Sequence, residues 1–129
     1  MVKIINSEHA PAAIGPYVQA VDLNQLVFVS GQIPIDVKTG LMPQDVSEQA
    51  KQSLANIKAI LEAADLTPAN IVKTTVFLAD LNDFAAVNAV YEQFFIDNHA
   101  TFPARSCVQV ARIPKDAKVE IEVIASRNK

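Results

Sequence analysis

The chain has 129 residues, half of them hydrophobic and 19% charged, with a formal net charge of −3. That length encloses one core and is short of two, so residues 1–129 are read as a single domain. The acidic balance argues against nucleic acid as a partner, because phosphate-backbone binding rests on an excess of lysine and arginine.

The single cysteine rules out an internal disulfide. The opening residues MVKIINS lack the apolar core and small-residue cleavage site of a signal peptide, and no apolar run approaches the ~20 residues that cross a bilayer. A cytoplasmic protein with no membrane partner is expected. In chain order, residues 18–21 and 26–30 are β-rich and flank the polar stretch Asp22-Leu23-Asn24-Gln25, which predicts a hairpin. Ala50, Leu54, Ile57, Leu61 and Ala64 follow at steps of four, three, four and three, the spacing of one helical face. Asp45 with Glu48 three residues later supplies an N-terminal cap, so a helix is predicted over 46–64. Thr67-Pro68 breaks that pattern, and the β-branched run 71–78 reads as a central strand. A second helix follows Asn82-Asp83, with Phe84, Val87, Tyr91, Phe94 and Phe95 as its apolar stripe. Asn88 falls inside that stripe, where a buried amide needs a partner: a structural clasp or a ligand.

Two more strands end the chain. Side chains alternate along a strand, so Arg105, Cys107 and Gln109 share one face and Ser106, Val108 and Val110 the other. In the second, Val119, Ile121 and Val123 alternate with Glu120, Glu122 and Ile124. If the valine faces of both strands meet the helices, Arg105, Cys107 and Glu120 emerge together on the opposite face. The order ββαβαββ gives an α+β fold, a mixed sheet of about six strands with two helices packed on one face. The other face mixes apolar and polar residues, and a second subunit is its natural cover.

Inventory narrows the chemistry. Three glycines cannot build a phosphate-binding loop or a dinucleotide fingerprint in its usual form, so no nucleotide cofactor is expected. His9 and His99 have no second ligand at metal spacing, so no metal is expected either. Ser30 lacks the G-x-S-x-G elbow of a serine hydrolase, although its hydroxyl remains available to a ligand. Cys107 is read as a passive thiol, since free cysteine is among the most buried side chains. Arg105 is desolvated on a half-apolar face and needs an anion, supplied either by Glu120 or Glu122 or by a substrate carboxylate.

The run FPARSCVQVARIPKDAKVEIEVIA (102–125) closely resembles the C-terminal signature of the RidA family, the YjgF-like reactive intermediate deaminases. Matches in APAAIGPYVQA (10–20), LVFVSGQIP (26–34) and IVKTTVFLADLNDFAAVNAVYEQFF (71–95) extend the resemblance over nearly the whole chain. It implies a chorismate-mutase-like subunit assembled as a homotrimer, with sites in the clefts between subunits. It implies hydrolysis of 2-iminobutanoate and 2-iminopropanoate, with their enamine tautomers, to 2-keto acids and ammonia, without cofactor or metal. Such intermediates are released by pyridoxal-phosphate-dependent dehydratases.

Carried over by position, the resemblance makes Arg105 the carboxylate-binding arginine and Glu120 the acid/base residue. Tyr17, Ser30, Gly31, Asn88 and Cys107 become the substrate-lining positions, with Cys107 acting through its backbone. Gly31 suits a place where backbone approaches a ligand closely. Two positions depart from the family: Asp65 stands where relatives often have glycine, and Ile113 where leucine commonly precedes the proline. A non-catalytic trimer that binds small keto acids or carboxylates is the alternative. Ribonuclease activity, attached to some relatives, sits poorly with the acidic charge and the lack of a catalytic histidine pair.

Overall fold

In the computed structural model, which describes residues 2–129, the helix-period segment forms α1 (Val46–Ala63). The Asp45 carboxylate accepts from the Glu48 backbone N–H at 3.1 Å, satisfying one of the free donors of the first turn. At the other end Leu66 N–H donates to Leu61 O and Asp65 N–H to Glu62 O, a Schellman closure. Asp65 adopts the left-handed conformation this closure demands (φ 60°), a conformation that favours glycine.

The chain begins with β1 (Lys3–Ile5), a short strand that sequence patterning did not predict, followed by β2 (Ala20–Asp22) and β3 (Leu26–Gln32). The hairpin forms as expected, but β2 starts at Ala20 rather than at residue 18. Before it, the buried Gln19 side chain binds the preceding loop, accepting from Ser7 N–H at 2.6 Å and donating to Pro11 O at 2.8 Å. Beyond α1 come β4 (Ile71–Leu78), α2 (Phe84–Asp97), β5 (Ala104–Gln109) and β6 (Val119–Ser126).

The six strands form one sheet in the order β1-β2-β3-β6-β4-β5, antiparallel throughout except for the parallel β4/β5 pair. One face carries Val27, Val29, Val76, Leu78, Val119, Ile121 and Val123, all buried under Leu54, Ile57, Leu61, Val87, Tyr91 and Phe95 of the helices. Among the described residues no helix covers the other face, where Phe28 is 41% exposed and lies opposite Ile124. Among the described residues no helix is long and apolar enough to cross a membrane.

Residues after β6 are clamped to the hairpin. Arg127 donates from both terminal nitrogens to the two Asp22 carboxylate oxygens, each at 2.9 Å, and from Nη2 to Ala64 O at the α1 terminus. The hydrogen bond from Arg127 holds the Asp22 carboxyl below its ordinary value. A depressed carboxylate pKa stabilises the fold above the unfolded value, and that stabilisation fades as pH falls through the folded value. Asp22→Ala is therefore expected to lose about 2 kcal/mol at neutral pH, the size of a charged hydrogen-bond pair. The gap to the parent in urea unfolding should narrow below about pH 4.

Candidate functional site

β5 and α2 together hold Arg105. Its Nη1 donates to Asn88 Oδ1 at 2.7 Å, and its guanidinium carbon lies 4.8 Å from the Tyr91 ring centre and 5.4 Å from that of Phe84. Asn88 is thus a clasp between helix and strand, aimed at the arginine. Arg105 makes no ion pair among the described residues, so neither Glu120 nor Glu122 neutralises it. A hollow of about 360 Å³ opens beside it, lined by Asn88, Tyr91, Glu92, Phe102 and Pro103. The half-buried Cys107 packs against the core two residues along, and burial pushes its thiol above the usual value, partly offset by Arg105. A raised thiol pKa means little thiolate, in keeping with a passive cysteine.

The expectation that Arg105, Cys107 and Glu120 share one face is overturned. In the parallel pair Arg105 lies beside Thr74 and Cys107 beside Val76, residues of the helix-covered face. Ser106 and Val108 take the open face instead, where Ser106 accepts from Lys73 Nζ at 2.9 Å and Val108 is 44% exposed. β5 is the sheet edge, and the side its residues face is set by register with β4 rather than by which set is more apolar.

Glu120 belongs to the open face, as do Glu122, Ser30 and Gly31. β3 and β6 are in register at Val29↔Val123 and next at Gln32↔Ile121, so Ser30 and Gly31 bulge from the ladder. Ser30 Oγ donates to Val18 O at 2.6 Å, tying the bulge to the segment that carries the exposed Tyr17. A hollow of about 680 Å³ lies here, lined by Tyr17, Ser30, Gly31, Lys115, Glu120 and Glu122 among others. Burial, and then the neighbouring Glu122 carboxylate, push the Glu120 carboxyl above its ordinary value. It is a stronger base than an exposed glutamate.

What closes on Gly31 is Glu120 itself. A Cβ built on Gly31 would collide with Glu120 Oε2 and come within 3.0 Å of its Cδ. The Gly31 backbone is not left-handed, so alanine is conformationally permitted and the carboxylate must give way. Gly31→Ala is expected to keep its thermal midpoint in a melt, because the end of a flexible side chain, the Glu120 carboxylate, is what must move.

The chain therefore holds two separate clusters: Asn88, Arg105 and Cys107 on the helix side, and Tyr17, Ser30, Gly31 and Glu120 on the open side. Phe84, Tyr91 and Phe102 also border the first cluster and Glu122 the second; none was expected to line a site, Glu122 having entered only as a possible anion for Arg105. The first two register in sequence only as an apolar stripe, although their spacing around Asn88 places them on one helical face. A third hollow, about 380 Å³ between α1 and α2, contains none of these residues. Neither His9 nor His99 lines the Arg105 or Glu120 hollow. Among the described residues, no group of three or more His, Cys, Asp or Glu side chains could hold a metal ion.

A six-stranded mixed sheet with two helices on one face is the YjgF-like α+β fold. The chain belongs to that family: residues 7–127 match the family model described as Endoribonuclease L-PSP. It is 67% identical over 127 residues to a 2-iminobutanoate/2-iminopropanoate deaminase of Salmonella typhimurium, covering 98% of this chain and 99% of that protein. The Escherichia coli protein of the same name is 65% identical with the same coverage. Among solved structures, E. coli TdcF with bound serine superposes with a TM-score of 0.96 at 61% identity, covering 97% of this chain and 98% of that one. The E. coli YjgF gene product gives the same TM-score and coverage at 65% identity.

Proposed function

We propose that this chain is a cytoplasmic 2-iminobutanoate/2-iminopropanoate deaminase, acting in a homotrimer whose sites lie between neighbouring subunits. The unneutralised Arg105 beside a small hollow carries the reading, because the substrates are small carboxylates. High identity over nearly the full length of deaminases supports it. The placement of Glu120 on the other face of the sheet supports the shared site, since side chains of one sheet cannot meet through it. One subunit supplies Arg105, Asn88 and Cys107, and its neighbour supplies Tyr17, Ser30, Gly31 and Glu120.

Arg105 grips the substrate carboxylate through its planar fork. Glu120 takes a proton from water as the water oxygen bonds to the imine carbon. The C=N electron pair moves to nitrogen, which takes up a proton to give the carbinolamine. A second proton on nitrogen lets ammonia leave as the hydroxyl gives up its proton and becomes the oxygen of the 2-keto acid. Both water protons thus end on ammonia. An imine is already electrophilic, so no covalent nucleophile is required. Supply of the substrate by pyridoxal-phosphate-dependent dehydratases follows from the same reading.

To test it, 2-iminobutanoate is generated with a threonine dehydratase and its decay followed with and without the protein. Faster decay at catalytic protein concentrations is expected. A rate equal to spontaneous hydrolysis would reduce the chain to a carboxylate binder.

A further inference from the structure

We infer that Phe84 and Tyr91 are positioning residues for carboxylate capture: with Asn88 they form a seat on α2 that fixes the plane and rotation of the Arg105 guanidinium. The inference rests on the reading of Arg105 as the group that grips substrate.

The three seat residues stand at i, i+4 and i+7, one face of a helix. The guanidinium carbon lies over both rings, at 5.4 Å from Phe84 and 4.8 Å from Tyr91. Ring faces are electron-rich and attract a cation, which confines the guanidinium plane while leaving its edge donors free. Asn88 takes one of the five guanidinium N–H donors, removing rotation within that plane. The other four meet no protein acceptor among the described residues and are available to an anion. Substrate thus meets an arginine that is already ordered, and the entropy of ordering it is not charged against binding.

The seat is itself held from behind. Tyr91 OH and Thr74 Oγ1 are 2.7 Å apart, with Thr74 fully buried and Tyr91 5% exposed. Thr74 is also the β4 residue paired with Arg105, so one strand position fixes both the arginine's register and the ring beneath it. Tyr91 packs at 4.9 Å against Phe95, which is fully buried in the core. A purely structural account covers Tyr91, a core residue with its hydroxyl satisfied. It does not cover Phe84, which is 37% exposed and whose ring lies over the guanidinium.

The experiment compares the parent with Phe84→Leu, Tyr91→Phe, Arg105→Ala and the double variant Phe84→Leu/Arg105→Ala. Binding of 2-ketobutyrate is measured by calorimetry, imine hydrolysis by steady-state kinetics, and the Arg105 Nε–H resonance by NMR. Phe84→Leu stays apolar and is expected to bind the keto acid about fivefold more weakly, the size of an exposed cation–π contact, with KM rising more than kcat falls. Its Nε–H resonance should lose the upfield shift of a group held over a ring. Tyr91→Phe keeps the ring and should stay within about threefold of the parent. In the Arg105→Ala background Phe84→Leu should change kcat/KM no further. An unchanged affinity and resonance in Phe84→Leu, or an equal loss in both backgrounds, overturns the positioning role. Intact keto-acid affinity in Arg105→Ala overturns the carboxylate reading beneath it, a result distinct from either.

Discussion

Arg105→Ala is expected to lower kcat/KM for 2-iminobutanoate by about 10²–10⁴-fold while leaving a folded oligomer. The magnitude follows from two charged hydrogen bonds to the carboxylate at roughly 1.5–3 kcal/mol each. The fold should survive because Arg105 is exposed and makes no ion pair among the described residues, so its removal strands no buried charge. Truncation leaves only Asn88 Oδ1 without its partner, at a half-buried position that water reaches. Arg105→Lys should fall between the two, since an ammonium keeps the charge but lacks the fork. Steady-state kinetics, with circular dichroism and gel filtration as controls, read all of this. Cys107→Ala in the same series should keep much of the activity, because the thiol is largely protonated and packs against the core. An equally complete loss in Cys107→Ala would bring the thiol into the chemistry.

The second large effect is a restoration. Arg105→Ala and Glu120→Gln subunits should each be inactive alone, yet regain activity when co-expressed. Each site in the proposed trimer takes Arg105 from one subunit and Glu120 from its neighbour. Random mixing at equal amounts then pairs an intact arginine with an intact glutamate at about one site in four. The same kinetic assay, run on co-purified mixed oligomers, measures the recovered fraction. A site built within one subunit predicts none, since every subunit carries one lesion. Glu120→Gln should be no less stable than the parent at neutral pH. A carboxyl whose pKa is raised by folding stabilises the fold when protonated and loses that contribution as pH rises through the window, so its ionised form opposes folding at pH 7.

Local rules made much of this fold legible before the structure. The α1 start at Val46 was readable because Asp45 and Glu48 stand at capping distance, and the strand Ile71–Leu78 because its β-branched density admits nothing else. β1 was not readable: three residues with Ile4 64% exposed carry no alternation that separates a strand from a tail. The clusters were half legible. Alternation correctly grouped Arg105 with Cys107 and Glu120 with Glu122. It gave no information on which group faces the helices, and the bulk of Val108 pointed to the wrong one. That choice is made by a pairing with β4 some thirty residues away in sequence (Thr74↔Arg105), which period-two patterning does not contain. The same error put Arg105 and Glu120 on one surface, and its correction supports the proposal of a site shared between subunits.

The strand order bears on how the chain reaches this state. β6, the last strand in sequence, is the third from the β5 edge and lies between β3 and β4. Until it docks, β3 and β4 have no common neighbour, and both present unpaired backbone and apolar side chains to solvent. A nascent chain that has released α1, β4 and α2 from the ribosome therefore still has an open sheet, and closure waits on the segment that also carries Glu120. Folding should be governed by this long-range docking rather than by its fast helices, with the exposed edges as its window of vulnerability to aggregation.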